Sequence, residues 1–424
     1  MKKVLLFGAG KSATVLIDYL ISEATANTWL VMIADVNLEQ ILTKTNHSNQ
    51  AKAFQIDIKD ELQRSELIQQ ADIVISMMPP ALHFLVAKDC VAFGKNLLTA
   101  SYLDDSIKGL QSEIERKNLL FICEMGLDPG IDHMSAMKIM DDIKANGGVV
   151  TSFKSHCGGL IAPESDTNPW HYKISWNPRN VVMAGKAGAE YKWNNEIQHK
   201  DYKDLFENNT EVNIDGLGSL AVYPNRDSLN YLPIYKLENV ATFIRTTLRY
   251  PSFCVGWNAI VKADLANDIT ILHPAGLSFA SWSASIKPFV NDDNKELLQF
   301  LGLFDEMLVP TTANTSADVL QFLLETKLVM QPADKDMIVM LHEIEYELSG
   351  KTIQIESSLI VKGEDHLRTA MAKTVGLPLG IAAKLILNGT IQLSGIHIPT
   401  IPEIYLPVLN ELEKAGICFT DRSA

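Results

Sequence analysis

The first 35 residues constrain the fold more than any other stretch of the chain. Lys2-Lys3-Val4-Leu5-Leu6-Phe7 reads as a short apolar strand that runs directly into Gly8-Ala9-Gly10-Lys11-Ser12-Ala13, then into an amphipathic stretch from Val15 to Ile21. A second apolar run, Leu30-Val31-Met32-Ile33-Ala34, ends in Asp35. Strand, G-x-G-x-x-A turn, helix and second strand, with an acid about twenty residues past the turn, form the layout of a dinucleotide-binding βαβ unit. Each part has a physical task. Gly8 permits the tight turn, Gly10 lets the backbone approach a pyrophosphate, and small Ala13 allows close helix–strand packing. The helix start offers N–H groups and a positive dipole end to phosphates. Asp35 matters separately: a carboxylate there accepts ribose hydroxyls and repels a 2′-phosphate. No Arg or Lys lies between Asp35 and Lys44, so the expected coenzyme is NAD in preference to NADP.

A chain of 424 residues exceeds one ordinary core and points to two or three domains. A net charge of −14 opposes nucleic-acid binding, which needs clustered Lys and Arg. No apolar run of membrane-spanning length is expected, and the apolar stretch after Met-Lys-Lys ends too soon, at Gly8, for a signal peptide. The five cysteines (Cys90, Cys123, Cys157, Cys254, Cys418) are scattered and lack C-x-x-C spacing. That usage fits a reducing, cytoplasmic setting with no disulfide framework and no metal site.

Strands and helices keep alternating through the N-terminal region. Further strands are expected at 53–56, 73–76, 96–99 and 119–122, separated by amphipathic stretches at 60–69, 82–93 and 105–116. Such alternation gives parallel pairing in a doubly wound sheet with ligands at the carboxyl ends of the strands. Asp57, Met78, Ala100, Ser101, Tyr102 and Glu124 all fall at those ends. Beyond Asp142 short β-like runs mix with Gly-, Pro- and Asn-rich loops, and 253–335 reads as mainly helical from its i, i+3, i+4 leucine spacing. From Met337 a hairpin is expected, since Ile344–Leu348 and Thr352–Glu356 alternate strictly around Ser349-Gly350. A helix from Met371 to Leu387 and another near Leu406–Ala415 follow.

Four polar clusters stand outside the first sheet. In Gly126-Leu127-Asp128-Pro129-Gly130-Ile131-Asp132-His133 the Pro-Gly pair favours a turn. Asp132 is placed to cap the following helix, His133 reads as structural, and Asp128 is open to a functional or a structural reading. In Ser155-His156-Cys157-Gly158-Gly159-Leu160 the paired glycines allow either close backbone approach to a ligand or simple turn chemistry. Tyr223-Pro224-Asn225-Arg226-Asp227-Ser228 and Thr246-Thr247-Leu248-Arg249-Tyr250 each carry a guanidinium, which binds carboxylates bidentately or forms an ordinary ion pair. His83 and His171 read as surface or interface groups.

Together with Ala162-Pro163-Glu164, Tyr172-Lys173-Ile174-Ser175-Trp176, Ala370–Gly376 and Leu387-Asn388-Gly389-Thr390, these stretches resemble the glutamate-forming saccharopine dehydrogenases. That family includes fungal saccharopine reductase and the dehydrogenase half of animal aminoadipic semialdehyde synthase, to which the chain is most similar. The resemblance implies an α/β fold: a Rossmann-type doubly wound parallel sheet plus a second α/β domain with a helical insertion. The corresponding division is 1–127 for the dinucleotide, 128–252 for substrate and dimerisation, 253–335 as the insertion, and 336–424 as completion and C-terminal return. Carried over by motif, the coenzyme meets Gly8, Ala9, Gly10, Lys11, Ser12, Asp35, Asp57, Met78, Ala100, Ser101, Asp128 and Ser175. Substrate meets Ser101, Tyr102, Asp128, Cys157, Arg226, Thr247, Leu248 and Arg249.

Asp128 leads the catalytic candidates, followed by Cys157 and Tyr102, whose thiol and phenol ordinarily titrate higher. Where NADP-dependent fungal members resemble a Cys-Arg-Thr pattern, this chain has Ala34-Asp35-Val36, and Glu364-Asp365-His366-Leu367-Arg368-Thr369 replaces the family's Gly-Gly-x-Ser stretch. The expected reaction is NAD-linked oxidation of the secondary amine of saccharopine to an imine, hydrolysed to L-glutamate and 2-aminoadipate 6-semialdehyde, by a homodimer without nucleic-acid or membrane partners. The alternatives are NADP-linked saccharopine synthesis, a related imine-forming dehydrogenase acting on another amine, and a catalytically silent dinucleotide sensor.

Overall fold

Short apolar strands separated by amphipathic helices build a parallel sheet from the N-terminal half of the first compact unit. The computed structural model describes residues 1–423. Its first strands are β1 (Lys3–Phe7), β2 (Leu30–Asp35), β3 (Ala51–Gln55), β4 (Ile73–Ser76), β5 (Asn96–Thr99) and β6 (Leu120–Ile122). They lie in the order β3-β2-β1-β4-β5-β6, and the strand Gly395–His397 is added beyond β6. Every pairing is parallel. Val4–Phe7 and Ile73–Ser76 are wholly buried, as strands covered on both faces must be. This is the doubly wound order, with its switch point between β1 and β4.

The first unit comprises Met1–Asn146 and Leu367–Cys418. It runs past 127 because the helix Ile131–Ala145 packs on the returning helix Pro402–Lys414. The other returning helix, Ala370–Leu387, packs on α1 (Thr14–Asn27). By length and composition it could cross a membrane, contrary to the expectation that no such run exists, yet 67% of it is buried. Gly376 and Gly380 explain the close packing: a Cβ would lie 2.9 Å from Leu16 Cβ at the first and 2.5 Å from the Tyr19 ring at the second.

The second unit comprises Gly147–His366 with the short strand Thr420–Ser423. Its mixed sheet centres on β7 (Val149–Ile161), which pairs in parallel with Thr242–Arg249 on one side and antiparallel with Asp336–Leu348 on the other. The hairpin Asp336–Leu348/Lys351–Lys362 is longer than the alternating segment read from sequence. Its inner part, Met337–Leu341, is buried throughout and so reads as a continuous apolar run. Residues 251–327 supply the helices Pro251–Lys262, Lys295–Leu301 and Ser316–Lys327, separated by long loops. Trp170, Phe253, Trp257 and the leucines of these helices share one core.

Candidate active site

The turn after β1 has the geometry its glycines predict. Gly8 sits at φ +97°, where a Cβ would lie 2.9 Å from the Met77 carbonyl, while a Cβ on exposed Gly10 would meet nothing within 4 Å. The backbone is therefore pinned on one side and open on the other. Gly10 caps the turn Lys11–Ala13 without any side-chain hydrogen bond; the Ala13 N–H closes the turn onto the Gly10 carbonyl at 3.0 Å, which leaves the N–H groups of Lys11 and Ser12 to face phosphate oxygens. Lys11 is exposed and Ser12 half-buried there.

Asp35 does something the spacing does not reveal. Its Oδ2 accepts the Ala9 N–H at 2.7 Å and its Oδ1 accepts the Asn37 N–H at 2.9 Å. The carboxylate braces the turn. From α2 (Leu38–Thr45) the Lys44 side chain folds back, and its Nζ donates to the Ala9 carbonyl at 2.7 Å and the Gly10 carbonyl at 2.5 Å. Burial pushes this ammonium down to about 8, with Asp35 and Asp18 pulling it back up.

At the other strand ends, Asp57 is exposed, and Met78, Ala100, Ser101 and Tyr102 are half-buried. The loops after β5 and β6 are laced together: Glu124 N–H donates to the Ser101 carbonyl at 2.9 Å and Met125 N–H to the Thr99 carbonyl at 3.0 Å. Half-buried Asp128 then stands in a tight ring in which Gly126 N–H reaches the Pro129 carbonyl at 3.0 Å. Gly130 is obligatory at φ +147°, where a Cβ would lie 2.1 Å from the Gly126 oxygen. Asp132 is not the helix cap. Gly130 holds that position, and buried Asp132 reaches back from the first turn to accept its N–H at 2.6 Å. His133 is fully buried and bonds Glu124 at 2.9 Å, a structural role.

His83 overturns the surface reading. It is 2% exposed, with Nδ1 2.8 Å from Ser76 Oγ and Nε2 2.6 Å from Ser101 Oγ. Burial pushes it down to about 4, with Asp104 pulling up. A neutral imidazole thus orients the Ser101 hydroxyl. The sequence does not reveal it because the residues it joins, Ser76 at the end of β4 and Ser101 in the loop after β5, are far apart along the chain. His171, in contrast, is exposed and paired with Asp166.

The second unit gathers another group. Thr247 stands opposite Cys157 across the parallel strands, and Gly158 permits that approach, since a Cβ would lie 2.4 Å from the Leu248 carbonyl. Arg249 is 5% exposed. Its guanidinium stacks over Tyr172 at 5.4 Å and Phe253 at 5.3 Å, and Nη1 donates to the Leu248 carbonyl at 2.7 Å. Its Nε has no partner. The groups that act most strongly on its charge are Tyr223, Tyr172, Cys254 and Cys157, none of them a carboxylate. Tyr223, which sequence reading passed over, bonds Thr247, and burial pushes its phenol up against the pull of Arg249. Burial likewise pushes the Cys254 thiol up to about 12, which makes it a packing group. Leu248 is buried, Ser175 is buried, and Arg226 is exposed at φ +54°. Thr247, Leu248, Arg249 and Cys157 are therefore brought together, while Arg226 stands at the surface.

A buried charge of this kind needs an anion. A buried cation without a counter-charge is costly, and a ligand carboxylate is the natural complement to its planar fork. Sheet order and the open glycine turn mark the first unit as a Rossmann-type, dinucleotide-binding fold. The model of the saccharopine dehydrogenase NADP binding domain matches residues 4–122, and that of the saccharopine dehydrogenase C-terminal domain matches 126–417. The chain belongs to the saccharopine dehydrogenase family.

It is 34% identical to the mitochondrial alpha-aminoadipic semialdehyde synthase of Bos taurus, over 100% of this chain and 48% of that protein. It thus spans less than half the length of that relative. To the saccharopine dehydrogenase (NADP(+), L-glutamate-forming) of Saccharomyces cerevisiae it is 31% identical, over 100% of this chain and 99% of the other. The solved apo saccharopine dehydrogenase (L-Glu forming) of that yeast superposes with a TM-score of 0.89 at 30% identity, covering 100% of both chains.

These findings correct the coenzyme expected from sequence. The matching N-terminal model is an NADP binding domain, and the fungal relatives are named for NADP(+). NAD was inferred from an uncompensated acid at the end of β2. The physical reason is that both Asp35 oxygens are engaged by backbone N–H groups, and Lys44, at the end of the cation-free stretch that follows Asp35, returns to the same turn.

Proposed function

We propose that this chain is an NADP-dependent, L-glutamate-forming saccharopine dehydrogenase. The reaction joins saccharopine, water and NADP+ to L-glutamate, 2-aminoadipate 6-semialdehyde, NADPH and a proton. Arg249 is the observation that carries the reading. A buried, ring-stacked guanidinium with no carboxylate beside it fits a substrate that brings several carboxylates of its own. The residues of the first turn fit the coenzyme: Gly10 leaves the approach open, and the amides of Lys11 and Ser12 suit its pyrophosphate. When bound, the nicotinamide supplies the hydride acceptor.

The protein's own residues bind, orient and exclude water. Arg249 and Thr247 hold a carboxylate, with Arg226 at the surface offering a second cation. Asp128, fixed by its Gly126–Gly130 ring, stabilises the positive charge that develops as the amine becomes an imine. Loss of the amine proton completes the oxidation, and Asp128 or solvent receives it. Ser101, oriented by His83, donates to the ligand bound at the first unit. The same residues serve the reverse, synthetic direction, because the transition state is shared. We further infer a homodimer of the cytoplasm.

The test is direct. Mixing the protein with saccharopine and NADP+ should produce NADPH, with glutamate appearing in equal amount by chromatography. NADPH formation from other secondary amino acids, with none from saccharopine, would refute the proposal in favour of an imine-forming enzyme of different substrate.

A further inference from the structure

We propose that Lys44 is the partner of the coenzyme's 2′-phosphate and the residue that sets NADP above NAD. The assignment rests on the NADP reading above and deepens it. In this chain the acid Asp35 stands at the end of β2, where it would repel a 2′-phosphate, so the charge must be offset from elsewhere. Two cations lie at that turn, and whereas Lys11 is exposed, Lys44 is the one whose ammonium is fixed on its backbone. It reaches from the last turn of α2 to the carbonyl oxygens of Ala9 and Gly10, 2.7 and 2.5 Å away.

Carbonyls give an ammonium partial charges only. Asp35 does not neutralise it by contact, since its oxygens accept the Ala9 and Asn37 N–H groups instead. Lys44 is half-buried, and two of its three donors are spent on the turn, which leaves one for a ligand. The result is a desolvated cation held in place by the turn that cradles the dinucleotide, beside the acid that marks the ribose position. A 2′-phosphate completes its charge balance. A 2′-hydroxyl does not, so the discrimination falls on the group that distinguishes the two coenzymes. Opposite charge at this point also relieves the repulsion from Asp35, which explains how an aspartate at the end of β2 is compatible with NADP.

Calorimetric titration with 2′,5′-ADP and 5′-AMP isolates the phosphate from the chemistry of the nicotinamide. Wild-type protein should bind 2′,5′-ADP more tightly than 5′-AMP by about 10- to 100-fold, the size of one charge-assisted hydrogen bond. Lys44→Met should bring the two affinities to near parity by weakening 2′,5′-ADP alone, and Lys44→Arg should keep the preference. A Lys44→Met protein that retains the wild-type ratio would overturn the assignment and leave the NADP reading intact. Equal loss of both affinities would also overturn it, making Lys44 a brace of the turn. Wild-type preference for 5′-AMP would overturn the NADP reading itself, and the assignment with it.

Discussion

His83 shows how much a single buried side chain can change a reading of this site. Held between Ser76 and Ser101, it stays neutral because burial pushes it down to about 4. In the unfolded chain the same group titrates near 6.5. Between those values the unfolded state takes up a proton that the folded state refuses, so stability is full above about pH 6.5 and falls as pH drops toward 4. The loss from this residue is on the order of 3 kcal/mol. Denaturant unfolding of wild type and His83→Gln across pH 7 to 4 should therefore show their stability difference shrinking toward acid. A constant difference would mean that the imidazole titrates normally in the fold. Neither this role nor that of Lys44 was legible in the sequence. Each depends on a side chain crossing to residues far along the chain, whereas the glycine spacing and Asp35 are local and were readable at once.

At the scale of elements, the strands of the first sheet were legible because each is a short apolar run between turn residues. The hairpin was half legible, its alternation hidden where both faces are buried. The sequence could not show which sheet the helix Ala370–Leu387 would join, since its apolar composition suits a core helix in either unit. Gly158 tests the packing of the second sheet. Its missing side chain lets β7 and Thr242–Arg249 approach, and a methyl group would sit 2.4 Å from the Leu248 carbonyl. Neither backbone can yield without disturbing the Cys157–Thr247 register. Gly158→Ala should cost about 1–3 kcal/mol of stability and raise the KM for saccharopine, with coenzyme affinity retained. Thermal melting and steady-state kinetics check it; unchanged values of both would show that the strands relax freely.

For the molecule as a whole, the first unit has the strand order of a dinucleotide-binding sheet, and the second holds a buried cation suited to a carboxylate. The motif at Thr247-Leu248-Arg249 was readable as a cluster. Only the fold reveals that Arg249 is buried on aromatic rings without a counter-charge while Arg226 is exposed, because burial is a property of the packed sheet and its helices. Arg249 consequently bears the central claim, that this chain binds a carboxylate-bearing amine as its substrate. Calorimetric titration of saccharopine into the protein saturated with NADPH, which cannot accept a hydride, measures that binding without turnover. Arg249→Met should weaken saccharopine by about 2–5 kcal/mol with NADPH affinity unchanged. Equal saccharopine affinity in the variant and wild type would contradict the account.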